Sequence, residues 1–245
     1  VADAMTNFTA SLTDLQLEVS TGRVVDFRAG EFLRDHPAND TVPLIYPMHF
    51  HEGFVAWPIP ASRKPQALTA SRETEELLVP SGWYVLVKRF SAKEERRRIT
   101  AAVYDPQRVT TSRVGFENHL NYYHRDGRGI PRDLAKGLTA FLNSSLVDLY
   151  FRQFSGHTQV NATDLRSLNY PTAEALTRLG EQIAARFPDQ GDLDRLIAAV
   201  NAGLPEARLL ARAARWAVLL FTGATALTEL GIGRDMVLIA FGVTF

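Results

Sequence analysis

Apolar residues recur at every second position through much of the first half of this chain, and at every third or fourth position through much of the second. Leu15, Leu17 and Val19 alternate with polar neighbours, Thr21-Gly22 supplies a turn, and Val24 to Phe27 resumes the extended pattern. Residues 15–27 therefore read as a β-hairpin. Glu31 to Asn39 is polar and reads as one helical turn and a loop. Val42 to Phe50 and Gly53 to Trp57 read as short strands, followed by an irregular connection imposed by Pro58, Pro60 and Pro65. Arg72 to Val79 reads as a short helix stopped by Pro80. Trp83 to Phe90 (WYVLVKRF) is the clearest strand, with Ile99 to Tyr104 as its antiparallel partner and Ser91 to Glu95 at the turn. Val114 to Tyr123 reads as one further strand.

After Pro131 the period changes. Ala135, Leu138, Leu142, Leu146 and Leu149 fall on one helical face. The stretch from Phe141 to Pro171 continues from this helix into the acid-free loop Ser155-Gly156-His157-Thr158-Gln159-Val160-Asn161, then into a short apolar strand closed by Pro171. Thr172 can cap a helix striped by Leu176, Leu179, Ile183 and Phe187, and Leu193, Leu196, Ile197 and Val200 mark another. Strands followed by helices predict an α+β fold: antiparallel β hairpins in a small sheet packed with several helices, and a helical C-terminal part. Residues 1–187 are expected to form one domain and 188–245 a helical extension. In that extension Trp216 to Thr228 and Met236 to Phe245 carry no charge, and each is shorter than the ~20 apolar residues of a membrane span. They read as a packed helix and a strand, or as a tail that docks on a partner.

Composition narrows the classes. The 245 residues hold 27 basic and 27 acidic side chains, so no global field draws a polyanion and any such attraction has to be local. The absence of cysteine excludes disulfides and thiolate metal sites and fits a reducing, cytoplasmic setting. The first residues lack the basic start and apolar run of a secretory signal, and a first residue other than Met suggests a piece of a longer or processed protein.

Charge does concentrate locally. Between Gly82 and Arg132 eleven basic residues face five acidic ones, a surplus of six. The turn KRFSAKEERRR brings Lys88, Arg89, Lys93, Arg96, Arg97 and Arg98 into a short span, as phosphate contacts require, although a solvated turn paired through Glu94 and Glu95 accounts for the run equally well. Asn118, His119, Asn121, Tyr122, His124 and Arg125 follow, with amides able to read base edges and rings able to stack. The loop's Ser155, Gly156, His157, Thr158, Gln159 and Asn161 suit hydrogen bonding to a polar polyanion better than proton transfer. His49, His51, His119 and His124 allow a metal site, and hence a metal-dependent nuclease, but no acid is spaced with them as a ligand. The chain has no phosphate-binding loop ending in Lys-Ser/Thr and no Gly-x-Ser-x-Gly elbow, and Gly127-Arg-Gly129 lacks the third glycine of a dinucleotide fingerprint.

LEVSTGRVVDF, VPLIYPMHF, YVLVKRFSAKEERRRITAAVYDP, FENHLNYYH and LTAFLNSSLVDLYFRQFSGHTQVNATDLRSLNYP occur in one order between Leu15 and Phe187. Together they resemble the C-terminal target-recognition region of restriction–modification N6-adenine DNA methyltransferases, the TaqI-like and BsuBI/PstI-type group. The resemblance implies duplex DNA as partner, together with a methyltransferase catalytic domain, upstream or separate, that binds S-adenosyl-L-methionine and holds the extruded adenine with an Asn-Pro-Pro-Tyr motif. That motif and the family's glycine-bearing cofactor loop are both missing from these 245 residues. The resemblance therefore implies the DNA-reading half, with no catalytic or cofactor-binding residue, no metal and no membrane association in this chain.

Overall fold

The computed structural model describes residues 2–60 and 62–202, so the charge-free segments expected at 216–228 and 236–245 lie outside the described residues. The fold is α+β. A short helix α1 (Ala2–Thr6) precedes eleven strands: β1 (Glu18–Thr21), β2 (Leu33–Arg34), β3 (Thr41–Ile45), β4 (Phe50–His51), β5 (Phe54–Val55), β6 (Ala67–Thr69), β7 (Leu78–Pro80), β8 (Tyr84–Lys88), β9 (Ala101–Tyr104), β10 (Arg113–Phe116) and β11 (Leu120–His124). Among the described residues five helices follow: α2 (Arg132–Leu142), α3 (Ser145–Phe154), α4 (Ala162–Arg166), α5 (Ala173–Glu181) and α6 (Gln190–Ala202). Described residues up to Val200 pack as one compact unit.

The strands form two mixed sheets, ordered β1-β11-β8-β9-β5-β4 and β2-β6-β3-β10-β7. Most pairings are antiparallel; β5 with β9 and β3 with β10 are parallel. The expected partnership of β8 and β9 is present, with Tyr84 opposite Tyr104 and Val87 opposite Ala101. Between the sheets lies an aromatic core. Tyr84 and Tyr122 both stand edge-on or tilted to Phe116, with centroids 5.2 Å away, and Tyr104 lies 5.7 Å from the same ring. Such offset contacts add to the large area these rings bury. The first sheet is covered on its other face as well, by α2, and Phe8, Phe141, Tyr170 and Tyr123 form a second aromatic chain there. Burial on both faces explains why β8 reads as a continuous apolar run.

Several expected elements take another form. Residues 15–27 do not make a hairpin. Gly22 lies so close to the crossing between the sheets that a Cβ on it would stand 2.2 Å from the Glu117 carbonyl oxygen. Val24 instead bridges Glu117 in parallel, and β1 pairs with β11. Val114 to Tyr123 is two strands in two sheets, because Glu117 N–H is committed to Ile45 O (3.0 Å) and Leu120 N–H turns back to Glu117 O (3.0 Å). The expected strand 42–50 is interrupted by a 3-10 turn at Pro47–His49. The helix expected at 72–79 is a 3-10 turn, Glu75–Leu77, leading into β7, and β6 emerges from the proline-rich connection.

The organising helix also breaks. The Asn143 amide leaves the helix to pair with both backbone groups of Ala101 (2.9 and 2.8 Å), and Ser144 Oγ caps α3 by accepting from Val147 N–H (3.3 Å). The restart changes the phase, so Val147 and Phe151 face inward while Leu149 is half exposed. Downstream, the expected apolar strand is the helix α4 followed by a one-residue bridge between Tyr170 and Ala10. Thr172 does cap α5, its Oγ1 accepting from Ala175 N–H (3.3 Å).

The helices α2 and α5 touch backbone to backbone. A Cβ on Gly137 would stand 1.8 Å from Leu176 O, and one on Gly180 1.7 Å from Asp133 O. Glycine is unfavourable inside helices, so two facing glycines trade propensity for this approach. Gly137→Ala and Gly180→Ala are each expected to lower stability by about 1–3 kcal/mol through overpacking. Denaturant unfolding checks this, and midpoints raised by either alanine would show that the helices can separate without loss.

Candidate nucleic-acid interface

Beyond Lys88 the β8 chain continues as Arg89-Phe90-Ser91, and two other segments are laid against it. Ser91 N–H donates to Thr158 O (3.0 Å) and Val160 N–H donates to Arg89 O (2.7 Å), which sets Phe90 opposite Gln159. On the other side Arg89 N–H donates to His119 O (2.8 Å). Segments 89–91, 117–119 and 158–160 thus form an irregular ribbon bearing Phe90, His119 and Gln159. The Phe90 ring is 38% exposed, lies 4.8 Å from the His119 ring, and has the Arg89 guanidinium 5.5 Å from its centroid.

The loop is fastened from behind. Arg98 is buried; its guanidinium donates to Ser155 O (3.3 Å) and to the His157 carbonyl, and stands 5.5 Å from the centre of the Phe151 ring. Asn121, also buried, donates from Nδ2 to Val160 O (2.7 Å) and accepts from Thr21 Oγ1 (3.1 Å). Asn161 starts α4, with its N–H bonded to Asp164 Oδ2 (2.8 Å). Acceptors that water would otherwise satisfy are met internally, so the loop is held at both ends and in the middle.

Beside the ribbon is a cavity of about 240 Å³ with nearly apolar walls, bounded by Tyr46, Met48, Phe90 and His119. Lys64 at its rim pairs with Asp26 (2.8 Å), a contact that raises the Lys64 pKa. Asp26 also accepts from Tyr46 Oη (2.7 Å); burial first, then this bond, pushes the phenol well above its ordinary pKa. Glu117 is fully buried and accepts twice from His119, at Oε2 from the backbone N–H (2.9 Å) and at Oε1 from Nδ1 (2.5 Å).

The structure divides the residues expected at the interface. Lys93, Arg96, His119, Gly156, His157 and Thr158 are exposed, and Lys88, Arg89, Asn118, Gln159 and Asn161 are half-buried near them in sequence. Arg98, Asn121, Tyr122, His124 and Ser155 are buried, which corrects the expectation that they face a ligand directly. Arg97 also turns inward, onto Gln190 and the carbonyls of Asn143 and Ser144, and desolvation lowers its pKa. His124 bonds Ser20 Oγ through Nε2 (2.8 Å) and accepts from Gly127 N–H, and burial lowers its pKa. Arg125 donates to the carbonyls of Gln16 and Leu15.

The basic surplus is therefore no continuous patch. Lys88 pairs with Glu95 (2.7 Å) and Arg113 with Glu75 (3.0 Å). Spacing failed to mark Tyr46, Met48, Lys64, Phe90 and Glu117; the one available sign was that Lys88 and Phe90, two apart, share a strand face. The metal hypothesis fails on geometry. His49 is buried between Tyr46 N–H (2.9 Å) and Gln66 Oε1 (3.4 Å), His51 is exposed, and among the described residues no three metal-ligating side chains converge. Nor, among the described residues, is any helix long and apolar enough to cross a membrane.

Phe90 beside the Arg89 guanidinium, with exposed His119 held by the buried Glu117 carboxylate, makes the ribbon a candidate binding surface. Comparison with known proteins gives it a context. The chain is 49% identical over 187 residues, 76% of its length, to the Type II methyltransferase M.PstI of Providencia stuartii. It is 48% identical over 188 residues, 77% of its length, to the Type II methyltransferase M.BsuBI of Bacillus subtilis. Its homologues are thus Type II methyltransferases, and the chain spans 37% of the length of each. No family model matches it.

Arg98→Ala is expected to lower stability by about 2–4 kcal/mol by leaving the Ser155 and His157 carbonyls without their donor, whereas Arg96→Ala changes it by less than about 0.5 kcal/mol. Chemical denaturation measures both. Equal effects would remove Arg98 from its role in holding the loop.

Proposed function

We propose that this chain reads duplex DNA sequence as the target-recognition part of a site-specific N6-adenine methyltransferase of a restriction–modification system. The observation that carries this reading is the loop 155–161 stitched to the cation- and aromatic-bearing end of β8, in a chain whose homologues are Type II methyltransferases. Recognition requires donors and acceptors fixed in advance of contact, and the bonds from Arg98 and Asn121 supply that rigidity. Residues 1–187 are assigned to recognition and 188–245 to an extension, in a cytoplasmic enzyme.

Within this reading, Lys93 and Arg96 contact phosphates and set register, while Gln159, Thr158, His157 and Asn118 face base edges. Gripping the duplex on this side helps keep the target adenine extruded in the catalytic domain, which lies in another segment or another chain. S-adenosyl-L-methionine belongs to that domain: this sequence has no glycine-bearing cofactor loop and no Asn-Pro-Pro-Tyr motif, so no methyl-transfer step is assigned to its residues.

Replacing Lys93 and Arg96 together by alanine is expected to weaken binding to every duplex alike and to lower the slope of log K against log salt by about 2. Gln159→Ala is expected to reduce discrimination at one base pair about 10-fold with little change in non-specific affinity. Titrations of labelled duplexes at several salt concentrations check both. An unchanged slope removes the hairpin turn from the interface, and a uniform loss for Gln159→Ala makes the loop a positioning element.

A further inference from the structure

The cavity beside the ribbon has a shape that groove reading does not use. Duplex grooves are concave and are entered by convex elements such as a helix or a two-stranded ribbon. A hollow bounded by Tyr46, Met48, Phe90 and His119 cannot reach the edge of a base that stays in its stack. At about 240 Å³ it is also smaller than the ~300–1,000 Å³ sites that enclose drug-sized molecules. Its size and apolar walls suit one flat heteroaromatic ring. Met48 and Phe90 are each 38% exposed at its edge, an arrangement that leaves apolar surface in water until something covers it.

The polar groups at this cavity are equally specific. The buried Glu117 carboxylate accepts a hydrogen bond from His119 Nδ1–H, which leaves Nε2 as the acceptor of the neutral ring. Phe90 and His119 lie 4.8 Å apart at 45°, an aromatic corner on which a ring can stack. Asp26 holds both Tyr46 Oη and Lys64 Nζ, so the Tyr46 part of the wall is braced by an ion pair and a hydrogen bond.

We propose that this cavity receives one nucleobase displaced from the helical stack, and that it selects a base with an exocyclic amino group: cytosine, adenine or guanine. The assignment rests on the duplex-reading role proposed above and adds a second unstacked base to the one the catalytic domain would hold. Phe90 and His119 stack on the displaced ring, and His119 Nε2 accepts from its amino group. Glu117 is a positioning residue that acts through His119.

The test uses the whole chain, without a catalytic partner, so that any displaced base belongs to this cavity. A preferred duplex is selected from a random pool, and a mismatch is then placed opposite each base in turn. A mispaired base is cheaper to extrude, so one cytosine, adenine or guanine is expected at which a mismatch tightens binding about 10-fold. Phe90→Ala and His119→Ala, both at partly exposed positions, still bind the matched duplex but lose this gain. Substituting the analogue that lacks the amino group, 2-pyrimidinone for cytosine, purine for adenine or hypoxanthine for guanine, lowers affinity at that position and tells the three bases apart. A flat mismatch profile on a selected duplex, or a gain that survives in both variants, overturns the cavity assignment and leaves the duplex-reading role standing. Failure to select any duplex overturns both.

Discussion

A guanidinium removed almost wholly from water needs acceptors, and Arg98 finds them for Nη1 and Nη2 in the loop that faces solvent on its far side. An unpaired buried charge costs several kcal/mol, so the loop and the start of β9 hold each other in place. Asp148 on α3 extends the linkage. Its Oδ1 accepts from the N–H groups of Arg98 (2.6 Å) and Ile99 (3.3 Å), and its Oδ2 from Arg152 Nε (2.8 Å). Arg152 in turn donates to the carbonyls of Lys93, Glu95 and Arg96, which shape the tip of the turn after β8. Much of the charge run is therefore an internal crosslink whose outer members alone remain for a partner.

This arrangement explains which parts of the fold were legible in the sequence. The β8–β9 pair was, because Tyr84 to Val87 and Ala101 to Tyr104 are buried on both faces and their apolar runs admit few alternatives. The stripes of α5 and α6 were legible because each helix buries one face, through Leu176 and Leu179 in α5 and Leu193 and Ile197 in α6. The division of residues 113–124 between two sheets was not, since the pattern runs on unbroken and the break comes from Glu117 folding back onto His119. Asn143 hid the helix break in the same way: its amide prefers the Ala101 backbone, a partner 42 positions away.

The candidate site was legible to the extent that its residues are polar and close in sequence. Gln159, Thr158, His119 and Arg89 do come together, because loop 158–160 completes the hydrogen bonding of the strand end. Residue type could not separate Arg96 from Arg98, one exposed and one buried, since only the tertiary supply of acceptors decides which guanidinium goes inside. The cavity was invisible for a deeper reason. It is formed by the 3-10 turn at Pro47–His49 meeting the ends of β8 and β10, so no local pattern records its concavity.

The single bridge between Ala10 and Tyr170 closes the chain on itself: each residue donates its N–H to the other's carbonyl, at 3.1 and 2.8 Å. Everything between them is a closed loop whose two stems leave side by side, about a strand spacing of ~5 Å apart. The ribbon, the loop and its buried anchors all lie within this closed loop, and α5 beyond it is bound to α2 inside it through Gly137 and Gly180, so the surface is tied to the helices that follow the bridge as well as to the bridge itself.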